Sequence, residues 1–131
     1  MPATLTIHDE TTSGQRNHTF TLEFPSERIT VRELIRERIY QEVDDHNRNS
    51  RDVYHGLIQP TDAEATLNGF RLRQPRQIDW KAQFDKAIEA FESNRILVLI
   101  NDHQAASLDE AIEVARGTEV TFLRLVMLVG G

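Results

Sequence analysis

The residues best suited to chemistry close the 131-residue sequence, where Leu125-Val126-Met127-Leu128-Val129 runs into Gly130-Gly131. At a glycine frequency of about 7%, two glycines at a terminus arise by chance in roughly one chain in 200. Glycine lets one backbone approach another closely, so such an ending suits a carboxylate that has to enter a narrow channel. Extended at roughly 3.3 Å per residue, residues 126–131 span about 20 Å. The apolar residues ahead of the glycines call for burial, in a partner's groove or against a second copy. Other groups carry less. His8, His18, His46, His55 and His103 show no metal-ligand spacing, and Asp44-Asp45-His46 reads as a solvated helix end rather than a ligand set. Phe70-Arg71-Leu72-Arg73-Gln74-Pro75-Arg76 is a basic patch with an aromatic, better suited to salt bridging than to RNA. No serine–histidine–aspartate order, glycine-rich phosphate loop or paired-carboxylate motif stands out, so the chain is expected not to be an enzyme.

Composition narrows the classes further. The absence of cysteine removes disulfides, thiol nucleophiles, zinc–thiolate sites and iron–sulfur clusters. A net charge of −6 argues against nucleic acid as a partner, because that affinity rests on Lys and Arg neutralising phosphates. Hydrophobic residues at 39% and charged residues at 27% are those of a soluble globular protein. No apolar run nears the roughly 18–20 residues of a membrane span, and Met1-Pro2-Ala3-Thr4 lacks a signal-peptide core; the expectation is a cytoplasmic protein with no membrane partner. Of 15 basic residues only Lys81 and Lys86 are lysines. An arginine-rich codon bias accounts for that; the sharper reading is that a chain with an activated terminus gains from few amines.

The elements that would position the terminus follow from periodicity. Leu5 and Ile7, and then Phe20, Leu22 and Phe24, alternate with polar residues, which predicts a hairpin of strands over residues 3–9 and 19–24. The polar segment between them, with Ser13-Gly14, is its loop. Thr30 and Glu33 form a capping box, and Ile29 can staple onto the first turn. Val31, Leu34, Ile35, Ile39 and Val43 then share one helical face, with Arg32, Glu33, Arg36, Glu37 and Arg38 mainly on the others. Thr61-Asp62-Ala63-Glu64 predicts a short helix to about Leu67, Asn68-Gly69 a turn, and Phe70 to Arg73 a short strand. Asp79 caps a second helix whose Trp80, Phe84, Ala87, Ile88 and Phe91 form a core stripe. Ile96-Leu97-Val98-Leu99-Ile100 predicts a central strand covered on both faces, Asn101-Asp102 a turn, Ser107 to Glu110 another capping box, and residues 119–125 a last strand.

From Ile96 onward the sequence resembles the small sulfur-carrier subunit of molybdopterin synthase and the thiamine-biosynthesis sulfur carrier, of the ubiquitin-like superfamily. The residues that carry the resemblance are Leu97-Val98-Leu99-Ile100, Asn101-Asp102, Ser107-Leu108-Asp109-Glu110, Arg116-Gly117-Thr118-Glu119-Val120 and the closing Gly-Gly. The resemblance implies an α+β, β-grasp fold over residues 1–131, a mixed sheet packed on an amphipathic helix. Residues 48–94 would be an inserted helical region and residues 126–131 an extended tail. It also implies that the Gly131 carboxylate is adenylated by an activating enzyme that uses ATP, the chain itself binding no cofactor. The acceptor is then a protein, for a modifier, or a sulfur-transfer partner, for a bacterial carrier that forms a thiocarboxylate. Leu125, Val126, Met127, Leu128 and Val129 would dock on the enzyme. The remaining reading is a β-grasp interaction module whose terminus is never activated.

Overall fold

A computed structural model of the full chain describes residues 3–12, 16–49, 51–66 and 69–125. Among these, ten strands and two helices follow one another. Strands β1 (Ala3–Thr11), β2 (Arg16–Phe24) and β3 (Arg28–Thr30) precede helix α1 (Val31–Asn49). Strands β4 (Val53–Tyr54), β5 (Ala63–Ala65) and β6 (Phe70–Leu72) precede helix α2 (Trp80–Glu92). Strands β7 (Ile96–Ile100), β8 (His103–Gln104), β9 (Ala111–Glu113) and β10 (Glu119–Arg124) complete the order. The chain is α+β and falls into two compact units, one from the described residues of Met1–Leu34 and Ala90–Gly131, the other from those of Ile35–Glu89. The boundary cuts both helices.

The first unit holds a mixed five-stranded sheet in the order β2-β1-β10-β7-β8. The expected hairpin is present and longer than its alternation suggested, with a register shift at Asp9/Glu10. In it Leu5 opposes Leu22 and Ile7 opposes Phe20, so one face collects the apolar side chains. β10 lies in the middle, parallel to β1 and antiparallel to β7, which puts Val120 and Phe122 on that same face beside Ile7 and Val98. Leu5, Ile7, Val98, Val120 and Phe122 are fully buried. The apolar run of β7 is covered on one face only: Ile96 and Val98 are buried, whereas Leu97 and Leu99 are half-buried. The central strand β10 alternates in the same way, so the sheet has one packed face and one half-covered face.

A small second pairing, β3 with β9, fixes the entry to α1. The Val31 and Arg32 amides, which have no partner inside the helix, donate to the Glu110 and Leu108 carbonyls at 3.0 Å each. The expected capping box closes around them: the Glu33 amide donates to the Thr30 hydroxyl at 3.1 Å, and the Thr30 amide to the Glu33 carboxylate at 3.4 Å. Ile29 and Val31 are buried at this junction. The Ser107–Glu110 box, by contrast, starts no helix. Glu110 does reach back, accepting from the Ala106 amide at 2.8 Å, but it closes a turn that leads into β9.

The second unit is less helical than the sequence suggested. Thr61 and Asp62 form a turn, with Asp62 at a φ of 59°, and the short helix expected there is instead β5, an edge of the small sheet β4-β6-β5. The end of that expected helix at Leu67 and the Asn68 half of the Asn68-Gly69 turn lie outside the described residues, as do Ser13-Gly14. The core face of α1 continues as predicted through Ile35, Ile39 and Val43. Arg38, expected on a wet face, is buried. So is His46, expected at a solvated helix end.

Candidate functional site

The point where the chain leaves β10 is the described part of the site that the sequence nominates. Three local devices deliver the chain to it. Gly117 at a φ of 89° makes the sharp turn before β10, a conformation that costs glycine least. The Thr118 hydroxyl locks that turn, donating to the Glu113 carbonyl at 3.0 Å and accepting from the Ala115 amide at 3.2 Å. Asn101 and Asp102, at φ of 47° and 71°, form the two-residue turn between β7 and β8 that left-handed Asn and Asp favour. The Asn101 side-chain oxygen also accepts from the Glu119 amide at 2.9 Å, so the turn itself anchors the start of β10.

At its other end β10 stays paired on both sides. The Thr12 amide donates to the Arg124 carbonyl at 3.2 Å, and the Leu125 amide donates to the Arg95 carbonyl at 3.1 Å. Arg95 is itself placed by the end of α2, where Asn94 at a φ of 60° turns the chain and the Arg95 amide returns to the Ala90 carbonyl at 2.9 Å. Leu125 is 40% exposed there. An open, polar cleft of about 450 Å3 borders Ile96 and Leu97 at the start of β7, lined also by Arg32, Phe91 and Asp109. Val126, Met127, Leu128, Val129, Gly130 and Gly131 lie outside the described residues.

The remaining sequence candidates do not converge. Among the described residues no group of three His, Asp or Glu could hold a metal, and no helix is long and apolar enough to cross a membrane. His18 stacks on Phe20, with ring centroids 5.0 Å apart. His103 reaches Glu110 at 3.3 Å. Arg71 and Arg73 are exposed, while Arg76 bonds to the Thr61 carbonyl.

What residue spacing did not reveal is a row of polar side chains in the second unit. Glu42 accepts from the Arg38 Nε at 2.7 Å with one carboxylate oxygen and from the Leu57 amide at 2.7 Å with the other. His46 bonds the Arg76 carbonyl at 3.2 Å, and Asn47 brackets the Ile78 backbone, donating to its carbonyl at 3.0 Å and accepting from its amide at 2.8 Å. Gln83, almost fully buried on α2, donates to the Ile58 carbonyl at 2.8 Å. Arg38, Glu42 and His46 are four residues apart, a helical stripe visible in the sequence only as charges. Within this row the fully buried Tyr54 hydroxyl meets no partner at hydrogen-bond geometry. Burial, reinforced by the Glu42 charge, pushes its ionisation far above the usual tyrosine range, and nearby Gln83 and Arg38 offset only part of that.

Compared with protein-family models, characterised proteins and solved structures, the chain matches none.

Proposed function

We propose that the chain is a β-grasp, ubiquitin-like modifier or carrier, whose Gly131 carboxylate is adenylated by an activating enzyme and passed to an acceptor. The reading requires that carboxylate to be free, whether encoded so or exposed by cleavage. The observation that carries it is β10. A hairpin followed by a capped helix, and a last described strand held centrally between β1 and β7, is the arrangement this reading asks for. Pairing persists to the Leu125 amide, and the six residues that follow in the sequence would reach about 20 Å if extended.

The test is the intact mass of the protein purified from its own host together with its neighbouring gene products. A sulfur-for-oxygen exchange at Gly131 assigns a sulfur carrier, and an isopeptide or ester to another protein assigns a modifier. Replacing Gly131 by tryptophan should abolish either product, since the side chain blocks a channel sized for backbone. An unmodified chain, with the same binding partners after deletion of Gly130-Gly131, would refute the proposal. The exposed Leu125 is the observation that favours the other reading, an interaction module whose apolar end docks intact.

A further inference from the structure

The sheet of the first unit carries, on the face opposite its core, a constellation that the sequence separates by more than a hundred residues. His8 on β1 lies directly across from Thr19 on β2, and its Nδ1 is 2.9 Å from the Thr19 Oγ1. Its Nε2 is 2.7 Å from a carboxylate oxygen of Glu119, at the start of the neighbouring β10. A carboxylate only accepts, so Nε2 carries a proton, and in the neutral imidazole that tautomer leaves Nδ1 with the lone pair. The Thr19 hydroxyl therefore donates to Nδ1. The order hydroxyl, imidazole, carboxylate is that of an activated nucleophile, with a base in contact and a third group that fixes the base's tautomer.

Accessibility divides these roles. The His8 side chain is only 8% exposed, so the strands hold its ring in one orientation, while Thr19 is exposed to reagents. We propose that Thr19 is an acyl-acceptor nucleophile, with His8 as its general base and Glu119 as the positioning residue, and that it takes small activated acyl donors such as aryl esters and acyl phosphates. As the bond from Thr19 Oγ1 to the acyl carbon forms, the hydroxyl proton passes to His8 Nδ1. The bond from that carbon to the leaving oxygen breaks, and the leaving oxygen or solvent removes the proton from the imidazolium. The products are a threonine ester and the released alcohol or phosphate. β1 is paired on both sides, so its amides serve the ladders and only the outer edge of β2 offers donors to an oxyanion; acylation should be stoichiometric and hydrolysis of the ester slow.

The experiment uses the full chain with p-nitrophenyl acetate. We expect a burst of one phenolate per chain and an acetyl group located on Thr19 by peptide mass analysis. Thr19→Val should remove that adduct. His8→Asn should slow its formation by about 100-fold, the low end of general-base effects. Glu119 is 57% exposed, so Glu119→Gln should slow it by only about 10-fold. In that variant the half-saturating ester concentration and the melting temperature should stay unchanged, a pattern that a merely structural contact would not give. Acetylation confined to Lys81, Lys86 or the α-amine, no adduct on Thr19, or an unchanged rate in folded His8→Asn would each overturn the assignment.

Discussion

Replacing Glu42 by alanine should be among the most damaging changes to the second unit. The Glu42 side chain is 12% exposed and that of its partner Arg38 3%, so the variant takes away the carboxylate held at 2.7 Å from a buried guanidinium. Removing one member of a buried pair costs about 3–5 kcal/mol. The Leu57 amide, held at 2.7 Å, loses its acceptor in the same step, a penalty of about 1–3 kcal/mol that overlaps with the first because water entering the vacated space can serve both groups. A net loss of about 4 kcal/mol is expected, a large share of the about 5–15 kcal/mol available to a domain. In the double variant Arg38→Met with Glu42→Leu both members of the ion pair are removed together, so the double variant should be about 2 kcal/mol more stable than Glu42→Ala alone. Urea unfolding read by Trp80 fluorescence measures both, since this single tryptophan sits in the unit beside Tyr40, ring centroids 5.8 Å apart. A loss below about 1 kcal/mol for Glu42→Ala, or a double variant less stable than the single one, would refute the reasoning.

Tyr54 supplies a pH prediction. Its folded-state ionisation lies above the ordinary value of about 10, so above that pH the unfolded chain sheds a proton the folded chain keeps. Stability should thus be level with respect to this group below pH of about 10 and fall as pH rises further. Tyr54→Phe should flatten that alkaline fall in thermal melts and be neutral or slightly stabilising at pH 7, because the lost hydroxyl has no hydrogen-bond partner. Gly56→Ala should cost at least about 1–3 kcal/mol by the same urea assay, since a methyl there overlaps the fully buried Tyr54 ring, which has no open space to swing into.

Much of the first unit was legible because its signals are local and agree with one another. The alternation in β1 and β2, the Thr30–Glu33 box, and the apolar Val31 and Leu34 all point to the hairpin and helix start that form. Strands β3 and β9 were not legible, because three residues each at positions 28 and 111 find one another only in three dimensions. The boxes at Thr61 and Ser107 show the limit of a local rule. A cap contributes about 1 kcal/mol, and pairing of Ala63–Ala65 with β6, or of Ala111–Glu113 with β3, outweighs it. Periodicity assigned Arg38 and His46 to solvent by residue type, whereas both spend their polar atoms on buried partners that segments 30 or fewer residues away provide. The Thr19, His8 and Glu119 grouping was hidden for the same reason: only the parallel placement of β10 beside β1 brings residue 119 to residue 8.

That parallel placement also sets how the first unit bears mechanical load. β1 begins near the start of the chain and β10 ends where the tail departs, and the two run in the same direction through six register pairs from Thr6↔Glu119 to Thr11↔Arg124. A pull applied before Ala3 and after Leu125 drags the strands past each other lengthwise, so the bonds of the ladder resist together rather than opening one by one. The antiparallel β10–β7 pair is loaded differently when the same tail is pulled against Ile96, because both ends then lie at one edge and the ladder can peel from there. The direction of traction, more than its size, decides whether this sheet yields.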